Sequence, residues 1–267
     1  MRLDFTRAAN SYDEVAVLAR ETGQRMAERL DWLKFSPLSV ADIGCATGDG
    51  IRELQRRYPE ARPLAIDYSA AMLAAARARM PLMQRFLKRT PRWVNADVRA
   101  LPLAKGSVDL AWSNLVLHWL DDPLPAFREL HRVLATGGLL TFSMLGPDTL
   151  KELRTAGARS LRRFHDMHDI GDMLVVAGFA DPVMDMEMIR MTYRRPRQFL
   201  SEQRRLGVRN GLLGQMPSRE WRQVFAGWEH DADGRLPATF EIVFGHAWRA
   251  EPKVTSDGQS IIRFAKP

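Results

Sequence analysis

The chain has 267 residues, 46% hydrophobic and 27% charged, with a formal net charge of +7 and a pI near 10.0. That composition belongs to a globular protein and excludes a disordered or fibrous one. Cys45 is the single cysteine, which excludes an internal disulfide and a cysteine-rich zinc site and fits a reducing cytoplasm.

The N-terminus, Met1 to Asn10, lacks the apolar stretch of a secretory signal, and no apolar run is long enough to cross a bilayer. Ser11 is placed to cap a helix that runs through Asp13-Glu14 to Lys34, with Val15, Leu18, Met26, Leu30 and Leu33 at helical spacing. Pro37 breaks it. Ser39 to Ile43 then reads as a buried strand. It enters the turn Gly44-Cys45-Ala46-Thr47-Gly48, and Ile51 to Tyr58 reads as a helix. Strand, glycine turn and helix let a ligand approach backbone. Asp42, just before the turn, suits a cationic ligand better than a pyrophosphate. Asp67 ends the next strand, Pro63 to Ile66, and follows Gly48 by 19 residues, the spacing at which an acid reaches ribose hydroxyls. Cys45 in the turn reads as a packing residue.

Ser69 caps a second helix, Ala70 to Met80. Pro81 to Arg92 is a basic connection with some helical pattern. Trp93 to Ala96 and Val108 to Trp112 are the third and fourth strands. Pro123 starts a helix that Gly137-Gly138 ends, and Leu139 to Met144 is the fifth strand. Strands and helices alternate from 39 to 144, which predicts an α/β fold with a parallel sheet covered on both faces. Beyond it, helices are predicted from Gly146 to Leu153 and from His168 to Ala177. Strands follow at Val183 to Tyr193 and Thr239 to Trp248. Residues 195–236 read as a helical insertion broken by Gly207, Gly211, Gly214 and Pro217, and 250–267 as a tail with a short strand at Ser260 to Phe264.

The glycine turn, Asp67, Asn95-Ala96-Asp97 and Ser113-Asn114, in that order, resemble the cofactor pocket of class I S-adenosylmethionine-dependent methyltransferases. The resemblance implies a Rossmann-like domain with a seven-stranded, mostly parallel sheet. Residues 1–38 would be an N-terminal lid, 39–145 the cofactor core and 195–236 a substrate lid. It implies that Asp42, Gly44, Cys45, Ala46, Gly48, Asp67, Tyr68, Met72, Asp97, Val98, Ser113 and Asn114 hold the cofactor. Asp67 would take the ribose and Asp97 the adenine amino group. Ser113-Asn114 would face the methionine part and the substrate. The family usually has glycine where this chain has Ala46.

Phe5-Thr6-Arg7-Ala8-Ala9-Asn10-Ser11-Tyr12-Asp13, Trp112-Ser113-Asn114-Leu115 with His118-Trp119, Gly146-Pro147-Asp148-Thr149-Leu150 and Leu236-Pro237-Ala238-Thr239-Phe240 resemble the BioC family. These are the malonyl-acyl-carrier-protein O-methyltransferases of biotin synthesis. The resemblance implies a cytoplasmic enzyme, expected to be a monomer, that esterifies a malonyl carboxylate on acyl carrier protein without nucleic acid or membrane. A carboxylate is ionised at neutral pH, so this reaction needs alignment and water exclusion rather than a base.

Tyr12 is read either as a lid over the methyl group or as a core tyrosine. His118 either bonds the malonyl carbonyl or is structural. Arg209 either pairs with the substrate carboxylate or is one surface arginine among many. His165 and His168 lack a third metal ligand. The clusters Arg85, Lys88, Arg89, Arg92 and Arg159, Arg162, Arg163 are candidates for docking the acidic carrier, a solvated basic surface being the plainer reading. Two other functions share features of the sequence. One is a homologue acting on a quinone precursor or a protein arginine, with a base near the acceptor. The other is a non-catalytic assembly factor for a respiratory complex.

Overall fold

The computed structural model describes residues 2–80 and 90–251. Seven strands form one sheet: β1 Ser39–Ile43, β2 Arg62–Asp67, β3 Arg92–Asn95, β4 Val108–Asn114, β5 Leu134–Leu145, β6 Ala180–Tyr193 and β7 Leu236–Trp248. Their order is β3-β2-β1-β4-β5-β7-β6. The first five pair in parallel, and β7 runs antiparallel between β5 and β6. All five residues of β1 are buried, as expected of a central strand covered on both faces.

One face is covered by α3 Val17–Leu30 and α4 Asp49–Arg57, which bring Met26, Leu30, Ile51 and Leu54 onto Trp112 and Leu139. The other face is covered by α6 Leu124–Val133 and α8 Met167–Ala177, through Phe127, Leu130, Ile170 and Leu174. These side chains recur every three or four residues, and each buried one contributes about 1.5–3 kcal/mol of transfer free energy. The second helix of the core, α5 Ala70–Ala78, starts where predicted, with Ser69 Oγ accepting from the Met72 amide at 3.4 Å.

Several boundaries move for local reasons. The N-terminal helix is broken into α1 Arg2–Ala8, α2 Tyr12–Val15 and α3, with the break before α3 at the buried Ala16. Ser11 Oγ makes no cap; it donates to the carbonyls of Ala8 and Arg205. The helix α6 ends at Val133, ahead of Gly137-Gly138, because Leu134 is drawn into the sheet opposite Val108. Residues 146–150 turn instead of starting a helix, Leu150 taking φ +58°, and α7 is only Lys151–Thr155. The insertion is α9 Pro196–Arg205, α10 Arg209–Leu213 and α11 Ser218–Gly227, and β7 begins three residues earlier than predicted, at Leu236. Arg85, Lys88, Arg89 and the strand predicted at 260–264 lie outside the described residues.

Candidate active site

The carboxyl ends of β1, β2, β3 and β4 open onto one cavity of about 440 Å³, within the range of small-molecule sites. Gly44, Ala46, Asp67, Tyr68, Met72, Asp97, Val98 and Asn114 line it, together with Tyr12. Phe5, Ile43, Ile66, Ser69, Ala96, Arg99, Leu115, Val116, Trp119 and Leu120 complete the wall. The parallel register explains the convergence: Ile43 lies opposite Ile66, and Asp67 opposite Asn95, so the turns after three strands share one level.

The glycine turn is held from within. The amides of Gly44 and Cys45 both donate to the Ile66 carbonyl, at 2.7 and 2.9 Å, and Gly48 donates to Cys45 at 2.7 Å. The Ala46 amide donates to Asp67 Oδ2. Those amides are taken, so they form no nest for a phosphate, and the turn presents acid to its ligand. At Gly44, with φ +77°, a Cβ would stand 2.3 Å from Val116 Cγ2, so only glycine lets the cavity wall close there.

Asp67 is the acid at the cavity floor. Its oxygens accept from the Ala46 amide at 2.9 Å and the Ser69 amide at 2.7 Å, and burial raises its pKa. Both oxygens keep a lone pair for a hydroxyl. Asp97 has its pKa lowered, chiefly by its ion pair with Arg99. Tyr68 is half exposed at the rim.

Four residues predicted to hold the cofactor, Asp42, Cys45, Gly48 and Ser113, are not among the lining residues, and a fifth, Asn114, lines the cavity with its side chain already bonded. Asp42 is buried beneath α4, where the Ile51 amide bonds to it; it braces the helix start instead of facing the cavity. Its Oδ2 has no partner, burial pushes its pKa up to about 8, and a Cβ on Gly50 would fall 2.6 Å from that oxygen. Cys45 is buried, and burial raises its thiol pKa well above the usual range, so it packs and does not react. Gly48 is the left-handed residue ahead of α4, packed toward Ala76. Ser113 is buried and donates to the Ile43 carbonyl at 3.2 Å, stitching β4 to β1. Asn114 reaches the cavity, but its side chain is spent. Its amide donates to Ala19 O at 2.7 Å, and its oxygen accepts from Thr22 at 2.8 Å and Ser143 at 2.7 Å. It pins α3 to β5.

Tyr12 and Phe5 cover the cavity from the N-terminal helices, and Phe5 meets the Trp119 ring edge-on at 6.4 Å. Burial, and then Asp67 and Asp49, raise the Tyr12 pKa, so the phenol stays protonated. Asp13, next in sequence, bonds to Thr47 of the glycine turn and pairs with Arg79 after α5. Glu14 pairs with Arg205 at the end of α9.

His118 does not line the cavity. It is buried behind Trp119, 4.5 Å from that ring and 5.5 Å from Phe164. Neither ring nitrogen has a partner among the described residues. Desolvation, and then the Arg162 charge, push its pKa down to about 3, far too low for a general base at neutral pH. Arg209 begins α10 and is not among the lining residues either. Arg162 is not free to dock a carrier: it bonds the carbonyls of His118, Trp119 and Leu120 and pairs with Asp121 at 2.8 Å. Arg92, Arg159 and Arg163 are exposed. His168 Nδ1 bonds Asp166, and among the described residues no group of three or more His, Cys, Asp or Glu could hold a metal.

The wall residues that sequence reasoning missed are mostly apolar. Leu115, Val116, Trp119 and Leu120 follow β4 directly, and their position at a strand end was the available signal. Arg99 gave none.

Residues 41–142 match the methyltransferase-domain family. Among solved structures, the YcgJ protein of Bacillus subtilis superposes with a TM-score of 0.63 at 14% identity, covering 87% of this chain and 99% of that one. An S-adenosylmethionine-dependent methyltransferase from Mesorhizobium loti gives 0.52 at 19% identity, covering 86% and 99%. At those identities the likeness is one of fold. Curated relatives are nearer. The malonyl-[acyl-carrier protein] O-methyltransferase of Gallionella capsiferriformans is 47% identical, covering 98% of this chain and 94% of its own length. That of Laribacter hongkongensis is 45% identical, covering 99% and 94%, and that of Xylella fastidiosa 34% identical, covering 98% and 92%. With its parallel core, its acid-floored cavity and full-length similarity of this order, the chain belongs to the malonyl-[acyl-carrier protein] O-methyltransferase family.

Proposed function

We propose that this protein transfers the methyl group of S-adenosylmethionine to the free carboxylate of a malonyl group on acyl carrier protein, giving the methyl ester. The observation that carries this reading is the chemistry of the cavity. Among the described residues its charged lining residues are Asp67, Asp97 and Arg99. All three belong to the end near β2 and β3. The opposite end, Phe5, Tyr12, Leu115, Val116, Trp119 and Leu120, offers no base. An acceptor there must arrive already deprotonated, and a carboxylate does.

The residues fit the cofactor. Asp67 has lone pairs for ribose hydroxyls, Met72 and Val98 provide apolar contact, and the acidic floor suits a sulfonium cation better than a phosphate. When bound, the cofactor supplies an electrophilic methyl group that needs no further activation. The protein's part is then to hold the acceptor oxygen in line and keep water out. Phe5, Tyr12 and Trp119 do the second. The Tyr12 phenol, kept protonated by burial and neighbouring acids, donates to the acceptor without quenching it as a guanidinium would. A phenolic or carbon acceptor, as in a quinone precursor, would need a base, and His118 cannot serve as one.

The carrier would be acidic, and the net charge of +7 with exposed Arg92, Arg159 and Arg163 supports electrostatic docking. We place the reaction in the cytoplasm and on a single chain. No helix among the described residues is long and apolar enough to cross a membrane. The test is methyl transfer from labelled S-adenosylmethionine to malonyl-carrier protein, malonyl-coenzyme A and a quinone precursor, at low and high salt. The reading expects ester formation, preference for the carrier and weakening with salt. Transfer to the phenol and none to either malonyl thioester would sink it.

A further inference from the structure

The carboxylate of Asp97 is engaged at both oxygens by one neighbour. Oδ1 accepts from the Arg99 amide at 2.9 Å and from Arg99 Nε at 3.0 Å. Oδ2 accepts from Nε at 3.2 Å and from a terminal guanidinium nitrogen at 2.6 Å. A carboxylate offers about four lone-pair sites, and three Arg99 N–H groups, the Nε–H shared between both oxygens, take most of them. Both residues line the cavity. An adenine whose amino group points at Asp97 needs one of those sites.

We propose that Arg99 sets the specificity of the adenine end. It competes with the 6-amino group for Asp97, and it shields the acid when that amino group is missing. The proposal rests on the cofactor reading above and goes one residue beyond it.

Two opposite effects follow. A natural cofactor's amino group must share a carboxylate that three Arg99 N–H groups already engage, so its donation weakens the Arg99 pair. The Arg99 side chain is 55% exposed, so this ion pair is a weak, screened one. Displacing it costs about two- to fivefold in affinity, the scale of a surface pair. A purine that lacks the amino group leaves Asp97 where it was, still satisfied by Arg99. A site normally rejects such an analogue because its own polar group is stranded. Here the stranding does not happen, so discrimination is blunted.

The side chain can be removed without losing the acid's position. The Arg99 contact at 2.9 Å is made by the main chain, and the Ala100 amide holds the Asp97 carbonyl at 3.0 Å. Arg99→Ala therefore keeps the turn and frees the outer lone pairs.

The experiment is titration calorimetry with S-adenosylhomocysteine and with its 6-unsubstituted purine analogue, on the wild type, Arg99→Ala and Asp97→Asn. Arg99→Ala is expected to bind S-adenosylhomocysteine about two- to fivefold tighter. It should bind the analogue more weakly than the wild type does, so the ratio of the two affinities widens. Weaker binding of S-adenosylhomocysteine by Arg99→Ala would show that the guanidinium stacks on the base and overturn the proposal, as would an unchanged ratio. If S-adenosylhomocysteine binds no form of the protein, the cofactor reading itself falls. If it binds wild type and Asp97→Asn equally, the cofactor stands but its amino group does not use Asp97, and the role of Arg99 is overturned.

Discussion

The main-chain amide of Ala46 donates to Asp67 Oδ2 at 2.9 Å, so the acid at the cavity floor also holds the turn above it. Ser69 holds the other oxygen at 2.7 Å. An acid so placed is oriented before any ligand arrives. Asp67→Ala is expected to weaken S-adenosylmethionine binding by about 1.5–3 kcal/mol, the value of hydrogen bonds to a charged group. Calorimetry on a folded variant checks this, and unchanged affinity would refute the placement of the ribose.

Ala46 carries φ 43°, in the left-handed region that disfavours a side chain. A left-handed alanine costs about 1–2 kcal/mol, and glycine returns part of that through its greater freedom when unfolded. Ala46→Gly should therefore stabilise the protein by about 0.5–1 kcal/mol. The bond to Asp67 survives because the amide makes it. Denaturant unfolding gives the answer, and a destabilised variant would mean that the methyl group packs usefully against Phe5 or Tyr12 of the cover.

For Tyr12 the ring should matter more than the hydroxyl. The acceptor has no proton to lose, and the phenol is held protonated by burial and by Asp67, Asp49 and Asp42. Tyr12→Phe is expected to keep much of the activity, while Tyr12→Ala opens the cavity to water and loses far more. Steady-state kinetics of the two variants decide it. Equal inactivity, with both folded and binding cofactor, would give the hydroxyl the chemistry.

His118 should prove dispensable to the reaction. Both ring nitrogens are buried without partners, and the ring lies among Trp119 and Phe164. His118→Phe keeps an aromatic ring and removes two unsatisfied polar atoms, which is neutral or stabilising by about 1 kcal/mol. Activity should stay within a few-fold, and no step in the wild-type rate near pH 6–7 should trace to this residue. A folded but inactive variant would restore a catalytic role.

Asp42 gives the fold a pH dependence of known sign. Its pKa is raised from the ordinary 3.8 to about 8, first by burial and then by Asp67 and Asp49, against the favourable Ile51 amide. The native state thus holds the proton more tightly than the unfolded chain. The stabilisation is complete below about pH 4 and is lost as pH rises toward 8. Asp42→Asn keeps an acceptor for Ile51 and removes the titration. Its stability relative to wild type should grow between pH 5 and 8, by up to about 1.4 kcal/mol per pH unit, and level off above. A constant difference across that range would show the carboxylate to be ionised throughout.

The core was legible because its signals are local. The run Ser39 to Ile43, the glycine turn, and acids at the ends of strands each declare themselves within a few residues. Asp67 and Asp97 stand out for that reason, and both line the cavity. Asp42 and Ser113 lie outside the lining and the Asn114 side chain is bonded within the wall; a polar residue beside a cofactor turn looks the same in sequence whether it faces the ligand or braces the wall. Only the partners of Asn114, on α3 and β5, reveal which. His118 was open for a related reason: its sequence position beside Trp119 was right for the site, but a single 3-10 turn, Leu117–Trp119, rotates it inward. Arg162 read as surface charge because its carbonyl partners are 42 to 44 residues away.

The bonds of Ser11 and Glu14 to Arg205 impose an order on synthesis. The Glu14 pair spans 191 residues of chain. At about 5–20 residues per second on the ribosome, roughly 10–40 seconds separate the appearance of its two halves. The strands β1 to β5 are synthesised within that interval, before the α9 residue that pairs with the N-terminal segment. Every cleft residue is therefore synthesised before the α9 partner that pins the cover.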